Sequence, residues 1–129
     1  MTILDLLKKE GADLDSAEQA QSDEVEAFEP EVLCAFCQNG ISSIREGIVV
    51  NGSHDHIFAN PHGLVFEVVC YNTAHGCAVC SPLTTEFTWF PGFGWRIAVC
   101  RYCAGHLGWF FQSEADSFFG LILKNLIIP

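Results

Sequence analysis

Seven cysteines stand among 129 residues, and six of them fall into Cys-x-x-Cys pairs: Cys34/Cys37, Cys77/Cys80 and Cys100/Cys103. A structural zinc needs four thiolates or imidazoles in a tetrahedron, so two pairs suffice. The residues after each pair indicate which two. The turn that follows a knuckle's second cysteine aims N–H groups at sulfur and stabilises the thiolates. Cys37 is followed by Gln38-Asn39-Gly40 and Cys103 by Ala104-Gly105, which offer free N–H groups and a glycine for the turn. Cys80 is followed by Ser81-Pro82, and proline removes a donor. Cys34, Cys37, Cys100 and Cys103 are therefore the expected ligands of one structural Zn2+. Cys77 and Cys80 are then expected to be incidental thiols of a surface loop, with a redox pair as the alternative. Cys70 is expected to be a small buried apolar residue. His54 and His56 face the same way on an expected strand and are expected to be solvated, and His106 to make a structural hydrogen bond.

Every tryptophan lies in residues 87–111: Trp89, Trp95 and Trp109. Phe90-Pro91-Gly92-Phe93-Gly94 makes a tight reversal that brings Trp89 and Trp95 to the two ends of one turn. The knuckle and Gly108 return Trp109 to the same place. A single tryptophan in a β domain is usually core, but three indole walls together would enclose a slot for a flat ring. Side-chain charges are few there, so a ligand's polar groups would rely on main-chain N–H and C=O groups of Phe87-Thr88-Trp89. A cage of this kind can also hold a methylated ammonium by cation–π attraction, with Glu86 as the only nearby acid.

Short alternating apolar runs must position these residues. Residues 44–50 lead to Asn51-Gly52, a strong hairpin signal, and residues 54–59 return from it. Asn60-Pro61-His62-Gly63 makes a second turn. Residues 64–71 read as a strand with Leu64, Phe66, Val68 and Cys70 on one face, and residues 95–100 as another. Ser113-Glu114-Ala115-Asp116 could cap a short helical turn, and residues 121–128 close the chain as a strand. This is a mainly β, antiparallel pattern with long loops.

Ahead of it, residues 1–33 carry ten acids against Lys8 and Lys9, a net of −8, while residues 34–129 carry a net of −2. Residues 3–10 could form one or two helical turns, and residues 1–33 read as an acidic, flexible leader to a domain over 34–129. The formal net charge of −10 argues against binding nucleic acid, because phosphate contacts need clustered Lys and Arg, and disfavours an anionic membrane surface. The start, MTILDLLKKE, is not patterned as a signal peptide. The odd cysteine count fits reduced thiols, and the expected location is the cytoplasm.

Taken in order, Cys34-x-x-Cys37, Asn60-Pro61-His62-Gly63, Thr85-Glu86 with Trp89-Phe90-Pro91-Gly92, Trp95, Cys100-x-x-Cys103 and His106-Leu107-Gly108-Trp109 resemble the CULT domain, the thalidomide-binding domain of cereblon. The resemblance covers roughly residues 34–129. It implies a β-tent, two antiparallel sheets pinned by one zinc with four cysteine ligands. It also implies a pocket for glutarimide, uracil-like and related cyclic imide rings, including cyclised protein C-termini. Trp89, Trp95 and Trp109 would be its walls, Phe111 would close it, and Asn60 with Pro61 would border the ligand's exposed part. Imide hydrogen bonds would fall on the backbone at Phe87 and Trp89. Phe87 departs from the histidine of human-type cereblons, so only main chain could hold the imide carbonyl there.

The Lon-like and adaptor-binding regions of cereblon have no counterpart, which implies a stand-alone, bacterial-type homologue without ubiquitin-ligase partners. A monomer is expected. Cys100-x-x-Cys103 with His106-Leu107-Gly108 is also similar to methionine-R-sulfoxide reductases. Those enzymes need a nucleophilic cysteine downstream of the second knuckle, and this chain has none after Cys103. A binding module rather than an enzyme is therefore expected.

Overall fold

A computed structural model describes residues 30–129. The helical turns expected for residues 3–10, and the leader up to residue 29, lie outside the described residues. Nine strands follow: β1 (Val32–Cys34), β2 (Gly40–Ser42), β3 (Asp55–Ala59), β4 (Val65–Tyr71), β5 (Cys77–Val79), β6 (Gly94–Cys100), β7 (His106–Gln112), β8 (Ser117–Ile122) and β9 (Leu126–Ile127). They make two antiparallel sheets, a small one in the order β9-β1-β2 and a six-stranded one in the order β3-β4-β8-β7-β6-β5. The chain is thus mainly β and two-sheeted, as expected. Strand β1 starts at Val32, ahead of the break in charge at residue 33, and Val32 is fully buried.

The large sheet buries apolar residues on both faces. Val69, Tyr71, Ala98, Leu107 and Leu121 pack on Val32, Ile41 and Leu126 of the small sheet. On the opposite face Cys70, Phe90, Phe111 and Phe118 form a second cluster, against which Phe58, Trp89, Trp95 and Trp109 are packed. Strand β4 shows both: the alternation ending in Val68 and Cys70 serves one face, while Val69 and Tyr71 serve the other. The sheet is closed up tightly at β7 and β8, where a Cβ on Gly120 would come within 2.8 Å of the Phe111 ring.

Three expected elements take other forms. The Asn51-Gly52 turn is present, with φ of 52° and 88° and with Val50 and Ser53 exchanging hydrogen bonds of 2.9 and 3.2 Å. Residues 44–50, however, are not a strand. A 3-10 turn, Ile44–Glu46, is followed by isolated bridges. The edge of β4 is already taken by β3, and the segment reaches only its end, through Ile48 N–H to Cys70 O at 3.0 Å and Asn72 N–H to Glu46 O at 2.7 Å. Residues 113–116 do not make a helical turn. Ser113 Oγ accepts the N–H groups of Ala115 and Asp116 as a cap would, but Ser113 N–H donates to Asp116 O and the chain reverses into β8. Residues 121–128 are split, because a 3-10 turn, Leu123–Asn125, carries the chain from the large sheet to β1 of the small one.

Candidate metal centre and aromatic pocket

Both hairpin turns that face each other between the sheets are Cys-x-x-Cys knuckles, and they are built alike. Cys34 N–H donates to Asn39 O at 2.9 Å, and Gln38 N–H to Cys34 O at 2.7 Å. In the second, Cys100 N–H donates to Gly105 O and Ala104 N–H to Cys100 O, both at 2.8 Å. The left-handed residue that each turn needs is Gln38 (φ 65°) or Ala104 (φ 67°), not the expected glycine. Gly40 and Gly105 serve instead to make space. A Cβ on Gly105 would lie 2.5 Å from the Phe36 ring, and one on Gly40 2.5 Å from the Pro30 ring.

This geometry gathers Cys34, Cys37, Cys100 and Cys103 so that their four sulfurs all lie within 4.8 Å of one another. Cys37 Sγ is 3.6 Å from Cys100 Sγ, and Cys34 Sγ is 3.8 Å from Cys103 Sγ. A tetrahedron with zinc–sulfur bonds of about 2.3 Å has edges of roughly 3.8 Å, so the quartet fits zinc as it stands. Donors already aim at the sulfurs. Phe36 N–H reaches Cys34, Tyr102 N–H reaches Cys100 and Gly105 N–H reaches Cys103, each at 3.4 Å. Asn39 Nδ2 donates to Cys37 at 3.3 Å.

The main-chain N–H and carboxamide of Asn39 bring the Cys37 thiol down to about 6. Cys34 is pushed up by burial. At Cys103 the Gly105 N–H favours the thiolate, but desolvation and the other sulfurs of the quartet outweigh it and push the thiol up to about 12. Four thiolates so close disfavour one another, and a dication supplies the missing opposite charge. The four cysteines form a potential single zinc site. Asn39→Ala removes a donor to one ligand and should weaken zinc about 10–100-fold, measured by competition with a chromogenic chelator.

The third pair is split. Cys80 is exposed, as a loop thiol would be, but Cys77 is 5% exposed and belongs to the core between the sheets. Burial first, and then the Cys100 sulfur, push the Cys77 thiol up to about 12. Cys77→Ser would therefore bury a hydroxyl among apolar groups and should cost about 1–3 kcal/mol, against less than about 0.5 kcal/mol for Cys80→Ser. Paired urea melts give both values. Cys70 is buried in the aromatic cluster, as expected. His54 and His56 are half-buried and hydrogen-bonded, not simply solvated. His54 Nδ1 meets Ile48 O and His56 Nε2 meets Val50 O, both at 3.0 Å, which ties the Asn51-Gly52 loop to β3.

On the other face of the large sheet lies a cavity of about 520 Å³. Trp95 and Ile97 stand opposite Phe111 and Trp109 in the β6–β7 ladder, so alternation puts Trp95, Trp109 and Phe111 on one face. The loop after β5 supplies Phe87 and Trp89, and the turn after β3 supplies Asn60, Pro61 and His62. All seven expected ligand-binding residues line this one cavity.

Hydrogen bonds and ring contacts hold the indoles. Trp95 Nε1–H donates to Glu86 O at 2.8 Å, and Trp89 Nε1–H to Ala59 O at 3.1 Å. Trp89 stacks on Phe58 at 4.8 Å and 9°, and meets Trp109 edge-on at 4.8 Å and 77°. Phe111 is 1% exposed and forms a closed wall. Asn60 Oδ1 accepts the N–H groups of His62 and Leu64, both at 2.9 Å, and so shapes the rim. Phe87 has φ 56° and is 72% exposed. Among the described residues, no hydrogen bond uses the main-chain N–H or C=O of Phe87 or Trp89.

Sequence reasoning did not assign Phe66, His62 or His106 to the pocket, although all three line it. The signal for Phe66 was present in the alternation of β4. His106 makes the expected structural hydrogen bond, Nε2 to Gly108 O at 3.0 Å, and also presents its ring to Trp109 at 5.0 Å.

No protein-family profile matches the chain. It is similar to cereblon of Xenopus tropicalis, 44% identical over 74 residues, which is 54% of this chain and 17% of that protein. It is also similar to cereblon of Gallus gallus, 35% identical over 75 residues (54% and 17%), and of Drosophila simulans, 29% identical over 104 residues (73% and 18%). The chain spans less than a fifth of the length of these relatives. The two antiparallel sheets and the cysteine quartet are consistent with a cereblon-like CULT domain over the matched part of the chain.

Proposed function

We propose that this domain is a small-molecule binding module rather than an enzyme, and that its three tryptophans cage cyclic imide rings of the glutarimide or uracil type, cyclised protein C-termini included. The observation that carries this is the pairing of an aromatic cavity with unbonded main-chain groups at Phe87 and Trp89. A flat imide presents a C=O, an N–H and a second C=O along one edge, and such an edge is met by backbone groups without any side-chain charge. Among the described residues, no Asp, Glu, Lys or Arg lines the cavity, which disfavours a methylated ammonium. Among the described residues no cysteine lines it either, which disfavours sulfoxide reduction. The zinc would act as a staple, held by the chain's four thiolates away from the ligand. Partners of the longer cereblons are not carried over, and among the described residues no helix is long and apolar enough to cross a membrane.

Glutarimide has eight heavy atoms. A ceiling of about 1.5 kcal/mol per atom for very small ligands leaves room for micromolar binding, roughly 8 kcal/mol. Tryptophan fluorescence should report saturable binding of glutarimide and none of N-methylglutarimide, whose methyl removes the N–H donor. Equal binding of the two would sink the imide proposal, and a preference for trimethyllysine would establish the ammonium cage in its place.

A further inference from the structure

Two buried thiols, Cys70 and Cys77, belong to neither site. Cys77, on β5, stands directly opposite Cys100, on β6. The phase of this ladder is set by Arg101 N–H to Gly76 O and Cys80 N–H to Ile97 O, both 2.9 Å. They leave Cys77 and Cys100 as a non-hydrogen-bonded pair, the position where Cα atoms approach to about 4.5 Å and side chains share a face. That separation lies within the range of about 4.4–6.8 Å that a disulfide requires. Both residues are buried in the same cluster between the sheets.

We infer that Cys77 and Cys100 form a redox pair, in which a peroxide converts the zinc site into a Cys77–Cys100 disulfide. The Cys100 thiolate attacks a peroxide oxygen. The O–O bond breaks, Cys100 becomes a sulfenic acid, and the departing hydroxide is protonated to water. The Cys77 thiol then attacks the Cys100 sulfur and gives its proton to the departing oxygen, the S–S bond forms, and the S–O bond breaks to release a second water. Two electrons pass from the thiols to the peroxide, and a dithiol reductant reverses the reaction. The product holds the Cys100 sulfur in a covalent bond, so the quartet is reduced to three and the metal is lost.

The competing pairs are closer in space but less well held. Cys37–Cys100 and Cys34–Cys103, at 3.6 and 3.8 Å, join knuckles of different sheets. Cys77 and Cys100 are neighbours within one sheet, where the flanking ladder bonds keep them opposite each other as the first ligand leaves.

The test treats the zinc-loaded full chain with increasing hydrogen peroxide, follows zinc release with a chromogenic chelator, alkylates remaining thiols and maps linked peptides by mass spectrometry. Zinc release should rise in step with one dominant Cys77–Cys100 linkage, and dithiothreitol with added zinc should restore the loaded chain. Cys77→Ala should need several-fold more peroxide to lose half its zinc. Linkages confined to Cys34, Cys37, Cys100 and Cys103, with Cys77 recovered alkylated, would overturn the inference. So would equal peroxide sensitivity of Cys77→Ala and the parent. The mapping needs no variant, so it decides the matter even if Cys77→Ala does not fold.

Discussion

Cys34→Ser is expected to leave the chain free of zinc and unfolded under reducing conditions. The small sheet consists of three strands of two or three residues, too little ladder to hold by itself. It is joined to the large sheet by the core around Val32 and Ile41 and by the quartet, to which it gives Cys34 and Cys37. Apparent binding free energy of structural zinc is on the order of 10 kcal/mol or more, comparable with the whole stability of a small domain, about 5–15 kcal/mol. A serine cannot supply the fourth thiolate, and Cys34 is fully buried, so no water replaces it cheaply. Metal analysis and circular dichroism should show less than one zinc per chain and no cooperative melt. Cys80→Ser should keep both. A Cys34→Ser chain with stoichiometric zinc and the parental melt would refute the ligand assignment.

Trp109→Ala should give the largest loss of binding without loss of fold. Trp109 touches Trp89, Phe66 and His106 at ring-centroid distances of 4.8, 5.3 and 5.0 Å, so its removal opens the cage on several sides. Buried aromatic hot spots cost about 2 kcal/mol or more when truncated, which is roughly 30-fold in affinity. The side chain is on the face away from the quartet and only partly buried, so zinc content should be unchanged. Calorimetric titration with glutarimide, beside metal analysis of the same sample, separates the outcomes. Parental affinity in a zinc-loaded Trp109→Ala chain would remove the cage from the binding site.

The two sites differ in how far sequence reveals them. The quartet is legible because a knuckle is local: Cys-x-x-Cys spacing fixes two sulfurs, and only the pairing of knuckles is left to choose. The turn chemistry was legible in part. Gly40 and Gly105 mark the knuckles, yet they are needed for the closeness of Pro30 and Phe36 and not for a left-handed backbone. The indoles are legible through their turn, but Phe58 and Phe66, which back and flank Trp89, come from strands distant in sequence. The small sheet was illegible because two- and three-residue strands show no periodicity, and Val32 was grouped with acidic neighbours. Cys77 looked like a loop residue because Gly76 and Ser81-Pro82 bracket it. Its burial depends on pairing with β6, which no local pattern encodes.

The Trp89 indole bond has a consequence for solubility. Strand β3 is one of the two edge strands of the large sheet. Its bonds to β4 use His54 O and Asn60 N–H, so the main-chain groups of Asp55, Ile57 and Ala59 point outward. An edge of this kind is a template for another chain. Here Ser53 Oγ donates to Asp55 O at 2.7 Å and the Trp89 indole to Ala59 O, so that of the three outward carbonyls only that of Ile57, at the strand's centre, stays uncovered beside the outward N–H groups. Trp89, which lines the cavity, thus also covers part of an edge that could template edge-to-edge aggregation. A phenylalanine at position 89 could still stack beneath a ring, but it would uncover the Ala59 carbonyl next to exposed Ile57 and Val65. The indole nitrogen constrains this position through colloidal stability as well as through anything it does for a ligand.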